Sequence, residues 1–327
     1  MLKKAREKHL GAIKMKFSIQ KTTFWNRIAA ALLDFILLMI VSAGAMTLVG
    51  WISGYDKYAT EVKEIQTKYE EEYGVKFSET EKYVTNKAVV TEKRALYESK
   101  NGVKFSVTPE QYAELPAEQK PAYTGENYAN DYANMLAELN GDKAYVDAFK
   151  VVDAYDQAQY AFNNDKDAIY ATSMSLSIIL AMISLGVLIG YVVIDFILPL
   201  IFKNGQTLGK KIFGIAVMHQ DGVRINGAYL FIRTLLGKFA FETMIPLLML
   251  LMFYFMHNLI ALIACGAIFL IEIILLFATQ YRQPIHDLLA KTITVDIKTQ
   301  KFFDNEEDRL RYIQEDAAEK AEKSKYF

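Results

Sequence analysis

WNRIAAALLDFILLMIV, residues 25–41, reads as a membrane-crossing helix that carries two charges, Arg27 and Asp34. Seven residues turn a helix through about 700°, so both lie on one face, roughly 10.5 Å apart along the axis. Helical side chains lean toward the N-terminus. Asp34 therefore leans toward Arg27, Arg27 leans away, and no direct ion pair between them is expected. Arg27 stands beside Trp25, where its long stem can carry the charge to the headgroups. Asp34 lies about ten residues, roughly 15 Å, inside the membrane edge. An aspartate at that depth costs about 2.5–3.5 kcal/mol and normally faces protein or water. It is expected to work, or to make a specific polar contact.

The rest of the chain sets this segment in a class. Of 327 residues, 52% are hydrophobic and 23% charged, and the two kinds occupy separate blocks, as in a membrane protein with one large wet region. Spans are expected at 24–53, 169–202, 239–256 and 259–279. The apolar run 239–279 would make a helix of about 60 Å against a hydrocarbon core of about 30 Å, so it is divided at His257-Asn258. Apolar sequence continues through Ile52, past the length of a signal-peptide core, which makes the first span a retained one. Cys265 is the single cysteine, so neither an intramolecular disulfide nor a cysteine metal site is available.

Lysine and arginine near the spans give the orientation. The start of the chain holds Lys3, Lys4, Arg6, Lys8, Lys14, Lys16, Lys21 and Arg27 against Glu7, and residues 203–240 hold six basic residues against Asp221. Residues 54–168 hold 14 basic and 22 acidic residues. The expected protein is all-α with four transmembrane helices, a helical extracytoplasmic insertion and a small cytoplasmic antiparallel β-sheet. Its parts are a basic cytoplasmic N-terminus (1–23), the insertion (54–168), a cytoplasmic hairpin and interfacial helix (203–238), a helix and strand (280–298) and a charged cytoplasmic tail (299–327). Both termini are expected on the cytoplasmic side of the membrane.

The insertion reads as helix. Tyr58, Val62, Ile65 and Tyr69 share one face, Thr108-Pro109-Glu110 is a helix start, and Asp142–Tyr170 has no breaker. Gly74-Val75-Lys76-Phe77-Ser78 recurs as Gly102-Val103-Lys104-Phe105-Ser106, read as two similar turns leading into helices. On the inner side, Gly205-Gln206-Thr207-Leu208-Gly209-Lys210-Lys211 looks like a phosphate loop but has three residues between its glycines and Lys211 after the lysine, so nucleotide binding is rejected. Ile215–His219, Val223–Ile225 across Asp221-Gly222, and Ile293–Ile297 alternate as three strands expected to pair.

GQTLGKKIFGIAV at 205–217, Arg233, and HDLLAKTITVD at 286–296, together with Arg27 and Asp34, resemble the RDD family of bacterial membrane proteins. The resemblance covers 24–53 and about 175–298, and the insertion is long for such a protein. It implies that the family's arginine and two aspartates are Arg27, Asp34 and Asp287, and it makes ion or solute transport available as a function.

Asp195 and Glu272 each stand seven residues before the end of a span. With Asp34 they are the candidate ion- or proton-binding carboxylates, near basic groups that include Arg233, Lys238, Arg282 and His286. A helix starting near Pro284 would place His286 and Asp287 in its first turn, where Asp287 either caps the helix and pairs with Arg233 or serves the function directly. Intramembrane carboxylates beside arginines suit a monovalent cation or proton site. The expected activity is cation/proton exchange or small-solute transport, performed as a homo-oligomer because four spans give little pore wall. Gly186 and Gly190 offer a close-packing surface. The alternative is a non-catalytic adaptor or sensor whose insertion binds an extracytoplasmic protein or envelope component. No enzyme chemistry is expected: the four histidines lack metal-ligand spacing and no GxSxG elbow occurs. No cofactor, metal or nucleic-acid partner is expected; the bilayer is.

Overall fold

The computed structural model describes residues 19–323, so part of the expected N-terminal segment 1–23 and of the tail 299–327 falls outside the described residues. Helix α1 is Phe24–Ser53. It is followed by α2 (Tyr55–Tyr73), α3 (Thr80–Asn101), α4 (Pro109–Glu114), α5 (Tyr128–Asn140) and α6 (Lys143–Asn164). Helix α7 starts at Lys166 and runs to Phe202, α8 is Leu208–Ile212, and strand β1 is Ile215–His219. Helix α9 runs Gly227–Met256, α10 is Leu259–Ala278, α11 is Ile285–Leu289, β2 is Thr292–Asp296 and α12 is Glu306–Lys323. Among the described residues α1, α7, α9 and α10 are long and apolar enough to cross a membrane. His257, at φ 49°, and the N-cap Asn258 make the turn between α9 and α10.

Three expectations change. No break separates an interfacial helix at 226–238 from a span at 239–256: α9 is one helix from Gly227. The helix expected over 142–170 is interrupted at Asp165, which is extended and whose carboxylate accepts the N–H groups of Asp167 and Ala168 to start α7. Val223–Ile225 is not a third strand; it contributes single bridges, Met218 to Arg224 and Val223 to Phe303.

Both α7 and α9 contain π-helical stretches, Val192–Ile197 and Ile232–Met244. A proline follows each closely, Pro199 and Pro246. A proline lacks the amide that an α-helical turn needs, and its ring crowds the carbonyl four residues earlier. Widening the preceding turns to i→i+5 bonding is one way to accommodate it.

Two compact units are present, one of residues 54–177 and one of 1–53 with 178–327. In the first, Val90, Met135, Leu139, Tyr145, Ala148 and Val152 form the core between α3, α5 and α6. The face of Tyr58, Val62, Ile65 and Tyr69 is partly buried, on a helix that packs against α6. Thr108 and Gln111 close a capping box at Pro109. The repeated pentapeptides are indeed matching turns. Gly74 and Gly102 are left-handed, at φ 66° and 67°, and Glu70 and Glu98 each accept the N–H of the phenylalanine seven residues on, at 2.7 and 2.9 Å.

In the second unit β1 and β2 pair antiparallel, with Val217 opposite Thr294. The arrangement is repeated about that pair. Gln206 Nε2 donates to the Ile215 carbonyl at 2.7 Å, and Gln283 Nε2 to the Thr292 carbonyl at 2.7 Å. Short helices α8 and α11 follow the two glutamines, and left-handed residues Gly214 and Lys291 close them. Ile297 N–H donates to Gly214 and Gln220 N–H to Lys291. On the outer edges Lys21 bridges Val295 as Arg224 bridges Met218, and Thr23 and Asn226 side chains then cap α1 and α9. Every element of the first half therefore has a counterpart 77 residues later at its end, and 203 residues later at its start. The counterpart of the insertion is the turn at His257-Asn258.

Candidate functional site

Asp34, buried in an apolar helix, needs donors, and α8 supplies them. Its Oδ1 accepts the Gly209 N–H at 2.8 Å and its other oxygen accepts the Thr207 hydroxyl. Thr207 also caps α8. A Cβ on Gly209 would stand 2.5 Å from the Ala30 carbonyl oxygen and 2.8 Å from Asp34 Oδ1, so only glycine lets the two helices meet here. The stretch resembling a phosphate loop does hold an anion, on one amide and one hydroxyl, and the anion is the protein's own.

Lys210 follows. Its ammonium is 3.8 Å from Asp34 and 4.0 Å from Asp195, and 3.3 Å from the Thr207 hydroxyl. Asp195, on the π-helical part of α7, is bound more closely by Lys238 of α9, and its backbone carbonyl accepts from Thr234 at 2.9 Å. Burial, with the charges of Lys238 and Arg233, pushes Lys210 down to about 7 against the pull of Asp195 and Asp34.

The second half repeats this plan with different chemistry. Glu242 takes the role of Asp34, accepting the His286 N–H at the start of α11 at 2.8 Å. Glu272 occupies the place of Asp195 and meets the Ile285 N–H at 3.3 Å. Asp287 occupies the place of Lys210, but is turned to Arg233 Nε at 2.8 Å and Thr292 at 2.5 Å. Burial alone would raise the Asp287 carboxyl; the Arg233 guanidinium outweighs it and holds Asp287 well below the usual carboxylate range. His286 places Nδ1 2.8 Å from Glu242 and Nε2 3.1 Å from Arg233 Nη2. Arginine only donates, so Nε2 accepts and the proton sits on Nδ1. Burial is the largest influence lowering the pKa of this imidazole.

The predicted residues thus divide. Asp34 and Asp195 meet around Lys210, Glu272 joins Glu242 instead, and Arg233, His286 and Asp287 form one group. The amides at the start of α11 are met by Glu242 and Glu272, not by Asp287. Arg27 does not pair with Asp34; it donates to the carbonyls of Tyr281 and Arg282 at 3.2 and 2.8 Å, beyond the end of α10. Gly186 and Gly190 are spent on packing against Ser42, Leu38 and Met46 of α1. Glu242, Thr207 and the part played by Lys210 escaped the sequence reading. The signal available was the equal placement of Asp195 and Glu272, each seven residues before the end of its expected span.

A cavity of about 480 Å³ opens among these groups. Its walls include Ile28, Phe35 and Leu38 as well as Arg27, Lys210, Arg233 and Lys238 facing Asp34, Asp195, Glu242 and Asp287. Among the described residues the charges lining it are therefore matched, four against four.

The model of the RDD family matches residues 158–291. The chain carries an RDD family domain. No curated protein and no solved structure matches the chain. The matched RDD stretch contains Asp195, Lys210, Arg233, Glu242, Glu272, His286 and Asp287, whereas Arg27 and Asp34 precede it across the insertion. The fold closes that gap, since Asp34 accepts the Gly209 N–H and the Thr207 hydroxyl inside the RDD match.

Proposed function

We propose that this protein is a membrane exchanger that trades a monovalent cation for a proton. The observation that carries the reading is the Lys210 ammonium, buried in the cavity between Asp34 and Asp195. A cation held by two carboxylates in a low-dielectric site, on a side chain able to lose its proton, makes ligand and proton alternatives at one position. The other basic groups have closer anchors: Arg233 on Asp287, Lys238 on Asp195, Arg27 on carbonyls.

Membrane placement is part of the proposal. The apolar helices leave large side chains such as Leu32, Phe35, Ile36, Ile263 and Phe277 exposed, a surface suited to lipid. The basic segments put the sheet, both termini and the cavity toward the cytoplasm of a plasma membrane, with residues 54–168 outside. The test is a pH gradient in proteoliposomes, challenged with inorganic and organic monovalent cations. Wild type should discharge it above the protein-free baseline and Asp34→Asn should not; no discharge by any cation overturns the reading.

A second reading is supported by the insertion. Residues 54–177 form a unit with its own core, as an adaptor that binds an external partner would. Deletion of residues 60–165 separates the two: an exchanger keeps its activity, an adaptor loses the unit that recognises its partner.

A further inference from the structure

We propose that the cation exchanged is an organic ammonium, a small amine with an apolar body, whose –NH3+ group takes the place of the Lys210 ammonium between Asp34 and Asp195. This rests on the exchange reading and names its substrate class.

Three observations lead to it. The position is already shaped around an ammonium: Lys210 Nζ stands 3.3 Å from the Thr207 hydroxyl and 3.8 and 4.0 Å from the two carboxylates. An –NH3+ group has three donors, and here one hydroxyl stands at hydrogen-bond distance and two carboxylates at ion-pair distance. A bare metal ion must have its hydration shell replaced by a ring of oxygens. Among the described residues no group of three or more His, Cys, Asp or Glu is placed to hold a metal. The cavity is also far larger than an ion: about 480 Å³, within the range of small-molecule pockets, which are mostly apolar with a few fixed polar groups. Phe24, Ile28, Ala31, Phe35, Leu38 and Leu276 supply apolar walls here.

The charge balance fixes the coupling. With Lys210 protonated the cavity's four cationic and four anionic side chains cancel. An added ammonium would leave one unmatched positive charge in a buried site. Lys210 therefore gives up one proton as the amine binds: the N–H bond at Nζ breaks, the proton leaves to water, and neutral Lys210 remains able to accept a hydrogen bond from the bound ammonium. No bond of the substrate changes. The groups facing Lys210 are Asp34 from α1, Asp195 from α7, and Lys238 and Arg233 from α9, with Arg233 held by Asp287 of α11. The second half of the fold cannot do the same. The place of Lys210 is taken there by Asp287, and its cation is Arg233, a guanidinium that does not deprotonate in proteins. One amine against one proton is the resulting stoichiometry.

The test is calorimetric titration of the purified full-length protein with benzylammonium chloride, repeated in buffers of different ionisation enthalpy at pH 6 and pH 8.5. The expected result is saturable binding, tighter at pH 8.5, with close to one proton released per amine at pH 6. Lys210→Met should bind at least as tightly, with no proton release and equal affinity at both pH values. Lys210→Gln serves the same purpose if the methionine variant fails to fold, and the wild-type proton count stands without either. Saturable binding of Na⁺ or K⁺ with none of benzylammonium overturns the substrate class and leaves the exchange reading intact. Benzylammonium binding without proton release overturns the role of Lys210. Absence of binding by every cation overturns both.

Discussion

The carboxylate of Asp34 accepts the backbone N–H of Gly209 at 2.8 Å across 175 residues of chain. This contact binds α1 to α8 with no room for a side chain at 209. Gly209→Ala should overpack it and cost about 1–3 kcal/mol, read as a lower thermal midpoint in detergent. Gly227→Ala, whose Cβ would meet nothing closer than 3.8 Å, is the matched control.

Arg233 and Asp287 are both buried and 2.8 Å apart. Removing one partner leaves an uncompensated charge, so Arg233→Met should destabilise by about 3–5 kcal/mol. The double variant Arg233→Met with Asp287→Leu should recover part of that loss. A double-mutant cycle on thermal midpoints gives the coupling, and additive losses would show that the pair is not a unit.

The depressed Lys210 pKa fixes a pH sign. Below about 7 its charge is buried at a cost to the fold, and that cost is relieved as pH rises from about 7 toward the ordinary lysine value. Stability of wild type should therefore rise between pH 6.5 and 9 relative to Lys210→Met. Cation exchange should rise over the same interval, because deprotonation vacates the position.

The two halves should separate under mutation. Glu242→Gln removes the anion that holds the start of α11 and His286, but leaves Asp34, Asp195 and Lys210 in place. It should lower the thermal midpoint and, with one of the cavity's four anions gone, move the pH dependence of exchange downward while exchange persists. Asp34→Asn should abolish exchange. Equal loss in both variants would mean that both halves take part.

In the insertion, Glu98→Ala removes the acceptor for the Phe105 N–H. It should destabilise that unit by about 1 kcal/mol, seen by hydrogen exchange at residues 102–106. Exchange activity should be unchanged.

Much of this architecture could be read from the chain. The apolar blocks and the turn at His257-Asn258 follow from hydropathy and length, and the pairing of Arg233 with Asp287 was one of two readings open. Asp34 announced itself because a carboxylate inside seventeen mostly apolar residues must have partners. Those partners were not legible. Thr207 and Gly209 sit in a stretch whose glycines and lysines mimic a different motif, and nothing local says that their ligand is an aspartate from the first helix. The repeat was hidden for a related reason. Gln206 and Gln283 are equivalent, yet Lys210 is matched by Asp287 and Gly209 by His286, so backbone geometry is preserved where side-chain chemistry is inverted. Glu242 escaped because it lies in the π-helical stretch 232–244, where i→i+5 bonding shifts the face that an α-helical reading assigns.

The two-fold pairing of β1 with β2 also sets an order of assembly. A ribosome delivers Asp34 long before Thr207 and Gly209, and β2 comes after the last apolar helix has been made. The Asp34 carboxylate waits only for Thr207 and Gly209, but β1 keeps a bare edge until β2 is made. The sheet is thus the closing step of biosynthesis, and a chain stopped before Thr292 would leave β1 as an open strand for quality-control proteases or for a neighbouring nascent copy to find.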